Sequence, residues 1–234
     1  MNVIALSTAR KGSKSVHNKN ILPVNGTPLF LHPIKKALES KKISSVYCST
    51  NDDKIVALSN YHDYNVVRRP DNLCTDTSKH EDAIIHAIHE VENKTGEKID
   101  VIVLLLGNTL GADAVDIDNA IDLLDGYDSV VSVNKMNMYN PSRAWMIEDG
   151  KCKTFVSQDM LGQNDLPNDK NSLGDVYFFN GNFQVLRKDV VISGKGDLPY
   201  KWLGRSIRPY IQNEVYMEVD AKWQLDYICS KEDL

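Results

Sequence analysis

The chain has 234 residues, 42% of them hydrophobic and 25% charged, enough to bury a full core and most simply read as one globular domain spanning 1–234. Its formal charge of −5 argues against a generic nucleic-acid or anionic-membrane surface, so any cationic site must be a local concentration. Cys48, Cys74, Cys152 and Cys229 lack zinc spacing, no secretion signal opens the chain, and the longest apolar run, Val101 to Leu106, is too short to span a bilayer; a cytoplasmic protein with reduced thiols is expected.

The run Val3 to Leu6 reads as a buried strand that breaks into a loop holding Arg10, Lys11, Gly12, Ser13, Lys14, Lys19 and Asn20. Glycine permits close backbone approach, while the hydroxyl of Ser13 and the cations Arg10, Lys11, Lys14 and Lys19 suit phosphate oxygens, so a nucleoside triphosphate is one reading. A solvated basic turn is the other. The P-loop pattern G-x-x-x-x-G-K-[ST] is absent, because Gly12 is the first glycine and Ser13 separates it from Lys14.

Leu22 to Pro28 supplies a turn and then a helix start, with Thr27 as N-cap and Pro28 at the first helical position, and the helix is expected to run to about Lys41. Val46 to Cys48, a short helix through Ile55, Val56 and Leu58, and Val66-Val67 extend this to β-α-β-α-β. Asp52-Asp53 is read as compensation of a helix dipole rather than as a metal site. A helix with the apolar face Ala83, Ile84, Ala87, Ile88 and Val91 follows, its His86 and His89 on the solvent side. Asp100 to Leu106 reads as a central strand buried on both faces, with a ligand expected beyond its carboxyl end, where Asn108 and Thr109 serve as turn formers or as ligand contacts. A helix through Ile117, Ala120, Ile121 and Leu124, closed by Gly126, and a strand from Ser129 to Val133 complete the expected core.

Residues 136–175 are irregular in composition and read as an excursion from that core, before Val176 to Gly181 re-enters as strand. Val215 to Asp220 is read as a last strand, followed by a helix from Ala221 to Cys229. Alternation puts Glu218 and Asp220 on one face, either as an exposed acidic pair or as ligands to a shared cation. The fold expected is α/β, a predominantly parallel doubly wound sheet with its site along the carboxyl ends of the strands.

The stretch A-R-K-G-S-K-S-V-H-N-K-N-I at Ala9 to Ile21 resembles the signature A-R-x-G-S-K-x-x-x-x-K-N-[IL] of the acylneuraminate cytidylyltransferases, matching at Arg10, Gly12, Ser13, Lys14, Lys19 and Asn20. Arg69, Pro70, Leu73, Asp76 and Thr77 match the family's R-P-x-x-L-x-x-D-[ST], Asn180-Gly181 its N-G-[AS], and Glu218 to Asp220 its D-[IV]-D. The resemblance spans almost the whole chain and implies a nucleotide-diphospho-sugar transferase-like fold that activates a nonulosonic, sialic-acid-like sugar with CTP. Kdo or another acceptor, or non-catalytic nucleotide binding, stands as the alternative.

The roles implied are Arg10, Ser13, Lys14 and Lys19 as catalytic cations and hydroxyl, with Gly12, Asn20, Arg69 and Ser78 at the nucleotide. Asn108, Thr109, Arg143 and Asn180 fall at the acidic keto-sugar, and Glu218 and Asp220 at Mg²⁺, Asp220 the stronger ligand. No general base is assigned. The resemblance also implies a homodimer built through the excursion, with no nucleic-acid or membrane partner. It departs at Leu106, where glutamine is usual, and at Phe178, where a basic residue is frequent, both on the sugar side.

Overall fold

A computed structural model describes residues 1–13, 16–157, 169, 172–215 and 218–230. The first strand, β1 (Val3–Thr8), is all but covered along its length, and the loop after it leads to a short hairpin of β2 (Pro23–Val24) and β3 (Thr27–Pro28). Asn25 and Gly26 turn that hairpin with φ of 48° and 75°, the two-residue geometry that Asn-Gly favours. Thr27 and Pro28 are thereby spent on a strand. The helix expected to start there instead begins one turn later, as α1 (Leu31–Glu39).

The chain then alternates through β4 (Ser45–Thr50), α2 (Asp53–Leu58), β5 (Asn65–Arg68), α3 (His80–Thr95), β6 (Val101–Leu106), α4 (Ala114–Asp122) and β7 (Ser129–Lys135). Asp52 caps α2 by accepting from Lys54 N at 2.9 Å, and Asp53 pairs with Arg68 at 2.7 Å, so this acidic pair serves helix and surface. The expected apolar face of α3 is wholly buried. His89 is exposed as expected, but His86 is half-buried with Nδ1 shielded from solvent, because α3 packs under the sheet over a wider arc than its apolar stripe suggests.

The excursion contains an outlying hairpin of β8 (Trp145–Glu148) and β9 (Lys151–Thr154), and the chain returns along β10 (Tyr177–Arg187), α5 (Lys188–Ser193), β11 (Ile207–Ile211) and α6 (Lys222–Cys229). The main sheet has seven strands in the order β11-β7-β10-β6-β1-β4-β5. All pairings in it are parallel except those of β10, which inserts antiparallel between β6 and β7. The core therefore does not close at Val133 as expected. β-propensity marked the start of β10, but its eleven residues exceed the Val176 to Gly181 reading. The edge strand β11 escaped sequence reading because Pro209 argues against a strand, yet at an edge the missing N–H costs no ladder bond.

Two apolar layers cover the sheet. Ile34, Ala37, Ile117 and Ala120 fill the side under α1 and α4; Leu6, Ile84, Ile88 and Leu104 fill the side under α3. Central β6 contributes to both through Val103 and Leu104, each fully buried, and each such side chain contributes roughly 1.5–3 kcal/mol. No helix among the described residues is long and apolar enough to cross a membrane.

Candidate active site

A cavity of about 470 Å³ opens over the carboxyl ends of β1 and β6, between the opening loop, the segment 69–80 and the segment ending at Asp220. Of the sequence-predicted residues it is lined by Arg10, Ser13, Lys19, Asn20, Arg69, Ser78, Asn108 and Asp220. Lys14 lies outside the described residues.

The opening loop is shaped by its own hydrogen bonds. Gly12 has φ of 81°, a conformation that penalises any side chain, and nothing stands within 4 Å of where its Cβ would be, so the backbone rather than space demands glycine. Lys11 N donates to Asn51 Oδ1 at 2.9 Å, and Asn20 Nδ2 donates to Arg10 O at 3.0 Å. Asn20 thus fastens the loop rather than reaching from it. Arg10 is aimed by Nη1 to Cys74 O at 3.0 Å and by Nη2 to Asp76 Oδ1 at 2.9 Å, which ties the loop to the segment across the cleft.

That opposite segment is equally organised. Buried Arg69 spends Nε and Nη2 on Ser49 Oγ and Ser49 O at 3.0 and 2.7 Å, which leaves its guanidinium facing the cavity as fixed positive charge. Ser78 Oγ donates to Asn72 O and meets Thr75 Oγ1 at 2.6 Å, closing the turn before α3. His80 lines the cavity, with Nε2 3.1 Å from Thr8 Oγ1 and its ring edge-on to Trp202 at 5.6 Å. Burial and the charge of Arg69 push the imidazole down to about 4, so it is neutral near pH 7. Sequence reading missed Thr8, Asn51 and the aiming role of Asp76; each could only have been found from its partner in space.

The acidic end of the chain meets the loop at Lys19, whose Nζ lies 2.7 Å from Asp220 Oδ1. Asn108 Nδ2 donates to the same oxygen at 3.2 Å, and Val219 N donates to Asn108 O at 2.9 Å. The expected strand Val215 to Asp220 is not formed at its described residues; that bond to Asn108 and burial of Val219 against Val24, Leu29 and Ile228 hold the segment instead. Glu218 and Asp220 nevertheless share one side. Burial, then the charge of Asp220, raises the Glu218 carboxyl above its usual range. Crowded oxygen donors of this kind fit a hard divalent cation, and Mg²⁺ takes one or two carboxylates with the rest of its shell from phosphates and water. Among the described residues no cluster of three or more His, Cys, Asp or Glu builds a closed protein cage for a metal.

Three predicted sugar contacts are not brought to the cavity. Thr109 is fully buried and donates to Leu106 O at 3.1 Å, as a turn former does. Asn180 Oδ1 accepts from Ser132 Oγ at 2.6 Å and its Nδ2 donates to Asn134 Oδ1 and Gln212 Oε1 at 2.9 Å, so its amide is consumed inside the fold. Arg143 stands exposed before β8, outside the cavity lining. Gly181 instead lies against the acidic pair: a Cβ there would collide with Glu218 Oε1. A larger cavity of about 640 Å³, bordered by His32, Asp116 and Gln212, contains none of the predicted site residues, so size alone does not locate the chemistry.

Comparison with known proteins places these residues in a lineage. The family profile described as Cytidylyltransferase matches residues 4–135. The chain is 30% identical over 229 residues to the N-acylneuraminate cytidylyltransferase of Escherichia coli O18:K1:H7, covering 96% of this chain and 50% of the relative. It is 28% identical over 158 residues to the 8-amino-3,8-dideoxy-manno-octulosonate cytidylyltransferase of Shewanella baltica, covering 64% of this chain and 61% of that one. The chain thus spans about half the length of the first and three-fifths of the second. In structure it is similar to a CMP:2-keto-3-deoxy-manno-octonic acid synthetase solved with CTP, with a TM-score of 0.73, 15% identity and 98% of each chain covered. It is also similar to a 4-diphosphocytidyl-2C-methyl-D-erythritol synthase from Anaerococcus prevotii, with a TM-score of 0.66, 11% identity, and 98% and 95% covered. Both share the α/β architecture.

Proposed function

The chain belongs to the cytidylyltransferase family, and from that premise we propose that it joins CMP from CTP to a 2-keto-3-deoxy acid sugar of the nonulosonic class, releasing pyrophosphate. The observation that carries this reading is the convergence of Arg10, Ser13, Lys19, Asn108 and Asp220 on one cleft beyond the carboxyl ends of β1 and β6. The sugar hydroxyl oxygen attacks the α-phosphorus, its bond to the β-phosphate oxygen breaks, the hydroxyl proton is released, and pyrophosphate leaves.

Little covalent work falls to the protein; it positions reactants and meets developing charge. Arg10 and Lys19 neutralise the phosphates, the Ser13 hydroxyl and the Gly12 backbone approach them, and Arg69 and Ser78 border the base. Glu218 and Asp220 would hold Mg²⁺, and what it would supply is charge neutralisation at the triphosphate and the departing pyrophosphate.

We further propose a cytoplasmic homodimer formed through the excursion. The β8–β9 hairpin exposes Trp145 at 65% and Ile147 at 78%, with Phe155 at 61% just beyond, an apolar surface unusual for a free monomer. Arg143, at the base of that hairpin, then reaches the sugar in the partner's cleft. An eight-carbon acceptor is the second reading, supported by the Shewanella baltica relative, whose name carries an octulosonate.

The test is pyrophosphate release from CTP and Mg²⁺ with N-acetylneuraminic acid, other nonulosonic acids and Kdo supplied separately. Release with a nonulosonic acid upholds the proposal, release with Kdo alone moves it to the second reading, and CTP binding without release from any sugar overturns it.

A further inference from the structure

The two walls of the cleft are joined behind it, at the carboxyl end of β4. Ser49 O accepts from Ala9 N at 3.1 Å and from Arg69 Nη2 at 2.7 Å, so the opening loop and the segment 69–80 hang from one carbonyl. Asn51 repeats the arrangement with its side chain: Oδ1 accepts from Lys11 N at 2.9 Å, and Nδ2 donates to Asp71 Oδ1 at 3.0 Å. It does so from outside the cavity, whose lining does not include it.

These bonds close a ring. Asp71 O accepts from Cys74 N at 2.9 Å, Cys74 O accepts from Arg10 Nη1 at 3.0 Å, and the peptide after Arg10 carries the Lys11 N–H that returns to Asn51. An amide is the group this place requires, because one end must accept from an N–H while the other donates to a carboxylate. The Asn51 amide is not spent on the helix that follows, since Asp52 caps α2.

We propose that Asn51 is a positioning residue for Arg10: it fixes both the peptide that follows Arg10 and the turn whose carbonyl the guanidinium grips, and so aims that charge at the triphosphate. The proposal rests on the reading of this cleft as the CTP site. Both Asn51 bonds lie at the surface, where water competes for each partner, so the pair adds little to stability. What it fixes is the direction in which Arg10 points.

The experiment is calorimetric titration of CTP, with Mg²⁺ present, into the unmodified chain, Asn51→Ala, Arg10→Ala, the two combined, and the exchange Asn51→Asp with Asp71→Asn, with a thermal melt of each. Asn51→Ala is expected to weaken CTP about 5-fold, the net worth of one hydrogen bond, with Tm unchanged. Added to Arg10→Ala it is expected to cost nothing further, because a residue that acts through Arg10 has no effect once Arg10 is gone. The exchange puts the carboxylate at position 51, where it accepts from Lys11 N and from the amide at 71, and keeps the charge of the parent; it is expected to recover the parent's affinity. An Asn51→Ala isotherm that overlays the parent, an equal loss with and without Arg10, or an exchange no better than Asn51→Ala overturns the proposal while leaving the CTP site intact. An unmodified chain that binds no CTP removes the reading of the cleft, and this proposal with it.

Discussion

The two ends of the sheet's carboxyl edge use the same residue types to opposite effect. Over β1 and β6, Arg10, Lys19, Asn108 and Asp220 converge on open space. Over β7, β10 and β11, Ser132, Asn134, Asn180, Asn182 and Gln212 converge on each other, with Gln212 Oε1 accepting from two amides and its Nε2 donating to Gly111 O and Asp116 Oδ2. A polar side chain becomes a binding group when the fold aims it and leaves it a vacancy, and a structural one when the fold supplies its partners. Changes in the first cluster should therefore cost turnover and changes in the second stability.

Asp220→Asn bears on the first cluster hardest. Asp220 is exposed, so its loss should leave melting unchanged while turnover falls on the order of 10³-fold and the Mg²⁺ requirement rises. A variant that titrates with Mg²⁺ and turns over like the parent would remove this residue from the metal site. Arg10→Ala comes next, with a fall of about 10²-fold in turnover in a folded protein; its two anchors, Cys74 O and Asp76, are on a surface segment that keeps its own turn. Near-normal rates would reduce Arg10 to a fastener between loops.

Gln212→Ala tests the other cluster. It takes an acceptor from the part-buried amide of Asn180 and the buried amide of Asn182, which should cost about 1–3 kcal/mol for a buried donor left unpaired, seen as a lower Tm, with CTP affinity of the folded fraction unchanged. If CTP affinity fell tenfold without a change in Tm, the division between the two ends would be wrong.

The smallest effect is in neither cluster. Glu92, held by Ile99 N at 2.9 Å and Lys188 Nζ at 2.9 Å, has its carboxyl lowered from 4.5 to about 2, the backbone bond being the larger cause. A lowered carboxyl contributes stability that is present above its unfolded value and lost as pH falls towards the folded one. Thermal melts between pH 5 and pH 2 should fall less steeply for Glu92→Gln than for the parent, with no change in turnover at pH 7. Parallel acid limbs would assign the loss to other carboxylates.

The parallel half of the fold was legible because hydrophobic period and turn chemistry agree there: Val101 to Leu106 admits few readings other than a buried strand, and Ala83 to Val91 few other than a helix face. Where local signals compete, reading failed. Asn25-Gly26 outweighed the Thr27-Pro28 helix start, and Pro209 concealed an edge strand. The site divides similarly. Loop residues next to one another in sequence, Arg10 to Asn20, could be read as a group. Thr109 and Asn180 could not be separated from Asn108, because all three were read at strand ends and only the packing decides which amide or hydroxyl finds a partner inside.

The most direct test of the account is calorimetric titration of CTP, with Mg²⁺ present, into the chain and into Arg10→Ala, with UTP as the competing nucleotide. A cleft bordered by Arg69 and Ser78 around the base and Arg10 at the phosphates should bind CTP about tenfold or more tightly than UTP, and Arg10→Ala should weaken CTP by at least as much. Equal affinity for the two nucleotides, together with an Arg10→Ala isotherm that overlays the parent, would contradict the assignment of this cleft to CTP.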